Sequence, residues 1–191
     1  IEILPHLDWG SISRAVPTWI LGYSDISTLL FVLTTKLGIA TAHGPNMLDL
    51  GTRNIDEVTS KWLDVLSLQE GRKVVQISSQ LFQNNWSPIE EDPLKDFNLN
   101  TATAWKYIYE KCEKIISFSG RLLGGCVDTI INLVGTPFAP VTDFINSYCK
   151  ETGVIWYFES PNMNVSQFYR ALLTFEYNGW FQNTNGVLIG R

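Results

Sequence analysis

The 191-residue chain predicts an α/β fold: a mainly parallel sheet with flanking helices. Two observations carry that expectation. Short apolar runs at 18–23, 154–158 and 187–189 alternate with longer stretches whose apolar residues recur at helical spacing. Glycines at positions 38, 135, 153 and 179 close those longer stretches, as helix stops do.

In chain order, residues 18–23 (TWILGY) read as a short buried strand. Helical spacing follows at Ile26, Leu29, Leu30, Leu33 and Leu37, with Ser24 or Asp25 as N-cap and Gly38 as the stop. A second strand is expected over 38–42, running into the turn His43-Gly44-Pro45. Asn54 and Glu57 stand at capping-box spacing, with Ile55, Val58, Trp62, Val65 and Leu66 on one helix face behind them. Residues 73–77 suit another strand. The polar stretch 83–100, with Pro88, Pro93 and the run Glu90-Glu91-Asp92, reads as a linker or excursion. Residues 105–112 fit helix and strand equally. Beyond Gly120 come helices over 127–134 and 141–150, a strand over 154–158, a helix over 165–177 and a strand over 187–189. No internal repeat interrupts the order.

Composition narrows the function classes. Apolar residues make up 45% and charged ones 17%, enough to bury a core and to exclude a disordered chain. Fourteen basic against nineteen acidic side chains give a net charge of -5, which argues against nucleic acid or an anionic membrane as partner. The apolar runs are too short to span a bilayer. Cys112, Cys126 and Cys149 are an odd count without metal-like spacing, and no signal-peptide pattern opens the chain, so reduced thiols in a cytoplasmic protein are expected. With two histidines, no phosphate-loop motif and GRLLGG followed by Cys126, no metal and no cofactor is expected. Seven Trp, seven Tyr and ten Phe suggest a generous core, an aromatic ligand pocket or a surface made to be covered. The start at Ile1 and the stop just past an apolar strand read as the ends of a fragment.

Open α/β sheets bind ligands beyond the carboxyl ends of their strands, and three polar residues fall there. Ser24 follows TWILGY. In a tight turn before a helix its oxygen can serve as a nucleophile, with the free N–H groups of the helix start holding an oxyanion; the alternative is a plain N-cap. The strict G-x-S-x-G elbow is not met, because position 26 is Ile. Glu159 closes the apolar run VIWYF and can orient a histidine or cap a turn. His43 can pair with Ser24 or hydrogen-bond its own Gly-Pro turn. The run Glu90-Glu91-Asp92 reads as a solvated acidic loop rather than a cation site.

GYSDIS at 22–27 and TAHGPN at 41–46 resemble the LD-carboxypeptidase and microcin C self-immunity family of serine peptidases. GRLLGGCVDTI at 120–130, VGTP at 134–137, WYFES at 156–160, FYRALLTFEYNGWF and NGVLIGR extend the resemblance in order over nearly the whole chain. The resemblance implies a two-domain peptidase: residues 1–70 as the end of an N-terminal α/β domain with the nucleophile, 71–118 as a connecting segment and substrate loop, and 119–191 as the start of a C-terminal domain with the catalytic glutamate. It further implies Ser24 as nucleophile, the Asp25 backbone N–H in the oxyanion hole and Glu159 orienting a histidine located beyond Arg191. His43 matches the family's T-x-H-G-P turn, which counts against a Ser24–His43 dyad. Cys126 stands where the family carries Asn.

The reaction implied is hydrolysis of an amide bond near a free carboxylate, without metal or cofactor. The longer segment between His43 and Gly124 resembles the immunity branch, which cleaves aminoacyl- or peptidyl-nucleotide conjugates; Trp86 is the candidate for stacking on the base, with Trp105 second. The alternatives are a murein LD-carboxypeptidase releasing terminal D-Ala from tetrapeptides, and a truncated protein that binds without cleaving. The partners expected are a small peptide or peptidyl-nucleotide substrate and, by family resemblance, a second copy in a homodimer. Without the catalytic histidine, these 191 residues alone are expected to be nearly inactive.

Overall fold

A computed structural model describes residues 1–85, 92–108 and 115–190. Trp86 and Cys112 lie outside the described residues. The chain divides into two units, Ile1–His43 with Ser117–Arg191, and Gly44–Ile116.

In the first unit, a 3-10 turn (Leu4–His6) and helix α1 (Trp9–Arg14) precede strand β1 (Leu21–Gly22), helix α2 (Ile26–Leu37) and strand β2 (Ala42–His43). Strands β1 and β2 pair in parallel, with Gly22 opposite His43. Helix α2 ends as its sequence predicts. Gly38 takes the left-handed conformation (φ 69°) and turns its N–H back toward the Leu33 and Thr34 carbonyls.

The second unit holds α3 (Met47–Leu50), α4 (Glu57–Ser60), α5 (Trp62–Leu66) and the antiparallel pair β3 (Leu81–Phe82) and β4 (Thr101–Ala102). The polar excursion 83–100 is the connection within this hairpin. The single helix face expected behind Asn54 is broken at Lys61 into α4 and α5. Asp56, not Asn54, caps the first turn by accepting from Val58 and Thr59, while Asn54 is turned to the Asp96 carboxylate. Residues 73–77 form no strand; among the described residues they pair with no neighbour, and Val75 is 87% exposed. Among the unit's described residues only Thr52 is buried. Polar ties such as the two-pronged Arg53–Asp92 pair (2.7 and 3.0 Å) fasten it instead of a core.

The chain re-enters the first unit and builds β5 (Arg121–Cys126), α6 (Val127–Ile130), α7 (Val141–Phe144), β6 (Val154–Glu159), α8 (Val165–Tyr177) and β7 (Thr184–Ile189). The three strands form one parallel sheet in the order β5-β6-β7, each pair joined through helices, as the alternating pattern requires. Two helices are shorter than their periodicity predicts. A 3-10 turn (Ile131–Leu133) continues α6, and a π-helical turn (Ile145–Cys149) continues α7. Helix α8 matches its expected span and is closed by a reciprocal Asn164–Gln167 capping box.

Strand β5 falls on GRLLGG, which the sequence leaves without a strand assignment. Its glycines answer to tight packing rather than to a loop. A Cβ on Gly124 would lie 1.8 Å from the Tyr157 carbonyl oxygen, so no side chain fits at that register position.

Part of the aromatic load is a core, while Trp19, Trp105, Tyr169 and Tyr177 stay exposed. Val154, Trp156 and Phe158 alternate onto one face of β6. There Trp156 stacks on Phe158 (5.4 Å) and faces Trp180 (6.1 Å), Phe31 of α2 stacks on Trp180 (5.1 Å), and Phe175 of α8 lies flat on Trp180 at 4.4 Å. Such pairs add about 0.5–1.5 kcal/mol each beyond the area they bury. Phe175→Ala should therefore cost about 3–5 kcal/mol in urea unfolding. Leu63→Ala, at a side chain 56% exposed, should stay within about 0.5 kcal/mol.

Candidate active site

Ser24 stands two residues past β1 with φ 62°; Asn183 is the only other non-glycine residue with positive φ among those described. An L-residue held there stores about 1–3 kcal/mol of strain and needs its surroundings to enforce it. The enforcement is visible. Asp25 already has helical dihedrals (φ -57°, ψ -33°), and the Ser24 carbonyl accepts the Ser27 N–H at 2.9 Å. Neither side chain caps α2, contrary to the N-cap expectation: Asp25 makes no cap bond, and among the described residues the Ser24 hydroxyl makes no hydrogen bond. The bend turns the half-buried Ser24 away from cap geometry and leaves its hydroxyl uncommitted at the positive end of α2.

Ser27, fully buried one turn into α2, ties this corner to the parallel sheet. Its Oγ accepts the Cys126 N–H at 3.3 Å, where β5 ends. Gly125 permits the approach, since a Cβ there would come within 3.2 Å of the Ser27 Cβ. From α6, the Thr129 hydroxyl donates to the Cys126 carbonyl (3.0 Å) and reaches the Ser24 carbonyl (3.5 Å).

Cys126 sits opposite Glu159 in the β5–β6 register, so the same strand ends carry the acidic side of the site. Burial pushes Glu159 above its ordinary carboxylate value; the Cys126 thiol pulls it back and Asp128 adds to the rise. Asp128 accepts a 2.6 Å hydrogen bond from the Ser160 hydroxyl. The Cys126 thiol is pushed up to about 12 by burial and by the Glu159 and Asp128 charges, so it is a neutral donor and not a nucleophile.

His43 lies against this group. Its Nε2 is 4.0 Å from Glu159 Oε1, and its ring is tilted onto Tyr157 with centroids 5.4 Å apart. Burial alone lowers the imidazole below its ordinary value. It also lifts the Tyr157 phenol to about 12. His43 Nδ1 and Glu159 Oε1 are both buried without a hydrogen-bond partner.

The structure thus brings His43 to Glu159, and joins the Ser24 corner to the Glu159 strand through Ser27, Thr129 and Cys126. Among the described residues no hydrogen bond links the Ser24 hydroxyl to either His43 or Glu159. Trp86 lies outside the described residues, and Trp105 is 64% exposed. Ser27, Thr129, Asp128 and Tyr157 are supporting residues that sequence reasoning missed. Their roles depend on the β5–β6 pairing, in which G-G-C stands directly opposite Y-F-E, and that register is not written in either segment alone. Among the described residues no cluster of His, Cys, Asp or Glu is placed to hold a metal ion, and no helix is long and apolar enough to cross a membrane.

Comparison with known proteins identifies the family and the fold. Residues 119–191 match the LD-carboxypeptidase C-terminal domain and residues 1–44 the LD-carboxypeptidase N-terminal domain. The microcin C7 self-immunity protein MccF of Escherichia coli is 25% identical over 196 residues, covering 100% of this chain and 52% of the relative. The murein tetrapeptide carboxypeptidase of Pseudomonas aeruginosa is 42% identical over 50 residues, 26% of this chain and 16% of that protein. Among solved structures, an MccF-like protein from Bacillus anthracis superposes with a TM-score of 0.76 at 22% identity, covering 100% of this chain and 53% of that one. An MccF-like protein from Streptococcus pneumoniae in complex with AMP gives 0.71 at 20% identity (99% and 58% covered). MccF in complex with glutamyl sulfamoyl guanosine gives 0.62 at 19% (99% and 53%). The chain spans about half the length of the curated relatives that it matches end to end.

Two opposite pH effects follow from the buried pair. Glu159 binds its proton more tightly folded than unfolded, so its contribution is lost as pH rises through the raised value. Glu159→Gln should raise the melting temperature at about pH 8 and change it little at about pH 4. His43 is depressed, so its contribution is present above 6.5 and lost as pH falls toward the lowered value. His43→Gln should flatten the decline in melting temperature between about pH 7 and pH 5.

Proposed function

Since the chain belongs to the LD-carboxypeptidase family, we propose that it is the nucleophile- and glutamate-bearing part of a serine peptidase that hydrolyses an amide bond in aminoacyl- or peptidyl-nucleotide conjugates. The observation that carries the reading is Ser24 itself, strained at φ 62° with an uncommitted hydroxyl at the start of α2. A serine kept in that geometry without capping its helix has the placement a nucleophile needs.

In this reading the Ser24 hydroxyl attacks the substrate carbonyl and forms an acyl-enzyme, which water then cleaves. The Asp25 N–H, at the positive end of α2, donates to the oxyanion of each tetrahedral intermediate. A histidine carried downstream of β7 takes the Ser24 proton and returns it to the leaving amine. Glu159 sets that histidine's tautomer and stabilises its charged form. A carboxylate partly withdrawn from water holds an imidazolium more strongly than a solvated one does.

The nucleotide-conjugate substrate is supported by the relatives whose structures hold AMP and glutamyl sulfamoyl guanosine. Trp86 is assigned to stack on the base. The second reading, release of terminal D-Ala from a murein tetrapeptide, is favoured by the 42% identical stretch shared with the Pseudomonas aeruginosa enzyme.

A competition assay on the parent-length protein separates the two. A mixture of an aminoacyl-sulfamoyl adenosine and a murein tetrapeptide should lose the nucleotide conjugate first; preferential release of D-Ala would establish the second reading. Ser24→Ala should lower kcat by at least about a thousandfold on whichever substrate is cleaved. Trp86→Ala should weaken the conjugate alone, by about 1–3 kcal/mol, and equal loss on both substrates would remove its stacking role.

A further inference from the structure

We propose that His43 is a positioning residue for Glu159: its imidazole, fixed at the end of β2, donates from Nε2 to the glutamate and holds the carboxylate in its working rotamer. The inference deepens the peptidase reading and rests on it for its kinetic consequence only.

The geometry carries it. His43 is immobilised from two sides, by the parallel register that sets it opposite Gly22 and by the Tyr157 ring on which it leans. Its Nε2 stands 4.0 Å from Glu159 Oε1, which has no hydrogen-bond partner although it is buried. A buried carboxylate oxygen left in that condition is strongly disfavoured. A small rotation of either side chain brings the pair to a normal N–H···O length of about 3 Å.

The other groups facing Glu159 cannot do this work. Across β5, the Cys126 thiol is a weak donor. Asp128 of α6 is an acid that repels the carboxylate, and its Oδ2 is taken by the Ser160 hydroxyl. Tyr157 points to the same face of β6 but meets His43 through its ring. From the end of β7, Gly190 presents only backbone; a Cβ there would stand 3.5 Å from the Glu159 Cβ. Among the described residues His43 is the only cationic or ring N–H partner within 4.0 Å of Glu159. With Oε1 engaged by His43, the second carboxylate oxygen is left for the imidazole of the proposed triad. A glutamate with two distinct imidazole partners cannot swing between rotamers, which is what a tautomer-setting carboxylate requires. Burial keeps His43 neutral near pH 7, so the bond adds a donor without adding a second positive charge beside the triad histidine.

The test uses the parent-length protein, labelled for carboxyl-carbon and imidazole-nitrogen NMR, as wild type, His43→Leu and His43→Gln. The wild-type spectrum should show His43 as the Nε2–H tautomer. His43→Leu should move the Glu159 titration upward, because a donor to the charged form is lost. It should lower kcat by about tenfold or more with KM within about twofold, and His43→Gln, which restores an N–H near the same place, should recover most of both. An Nδ1–H tautomer in the wild type, or a Glu159 titration unchanged in His43→Leu, would overturn the proposal, and neither readout needs a variant to be active. If the wild type cleaves neither substrate while the titration still moves, the peptidase reading fails and the His43–Glu159 pairing stands.

Discussion

The seam between α2 and β5 is the constraint on which the site depends. Ser27, buried inside α2, accepts the Cys126 N–H across 99 residues of sequence, and two glycines in β5 remove the side chains that would hold the elements apart. Gly125 lets the helix approach, and Gly124 lets β6 approach from the other side. Without both, the turn that carries Ser24 and the strand end that carries Glu159 would belong to separate pieces of the chain. The seam also explains how a strained serine is sustained: the Ser24 carbonyl is held by the Ser27 N–H, and Thr129 reaches it from α6.

Behind the seam lies the aromatic core, and the two have a division of labour set by the two-residue period of β6. Trp156 and Phe158 turn inward to Trp180 and Phe175, while Tyr157 and Glu159 turn to the opposite face and meet His43. A rigid stack therefore backs a face on which two polar atoms are left without partners. Unsatisfied buried groups are costly, and of the three among the described residues two, on His43 and Glu159, belong to neighbouring side chains, the third being the Thr103 hydroxyl. The second unit is built in the opposite way, with Arg53–Asp92 and Asn54–Asp96 doing what a core does elsewhere.

Much of the fold was legible because its signals are local. The αL glycine at 38, the span of α8 and the apolar run of β6 are each written within a dozen residues, and each came out where the pattern puts it. The failures were of two kinds. Asn54 and Glu57 have capping-box spacing, yet Asp56 takes the cap because the Asp96 carboxylate, 42 residues away, captures Asn54. GRLLGG carries no strand assignment until its partner strand is known, since only a neighbouring backbone gives those glycines a reason.

By itself the sequence determined the class of fold, the strand ends on which Ser24 and Glu159 fall, and the family resemblance from which their proposed roles are carried over. Each of these needs only short-range pattern and residue type. Tertiary structure alone decided that Ser24 is strained instead of capping, that Cys126 is a neutral thiol beside an acid, and that His43 faces Glu159. These are properties of burial and of parallel register. Both are set by which distant segments lie side by side, and neither is encoded at any single position of the chain.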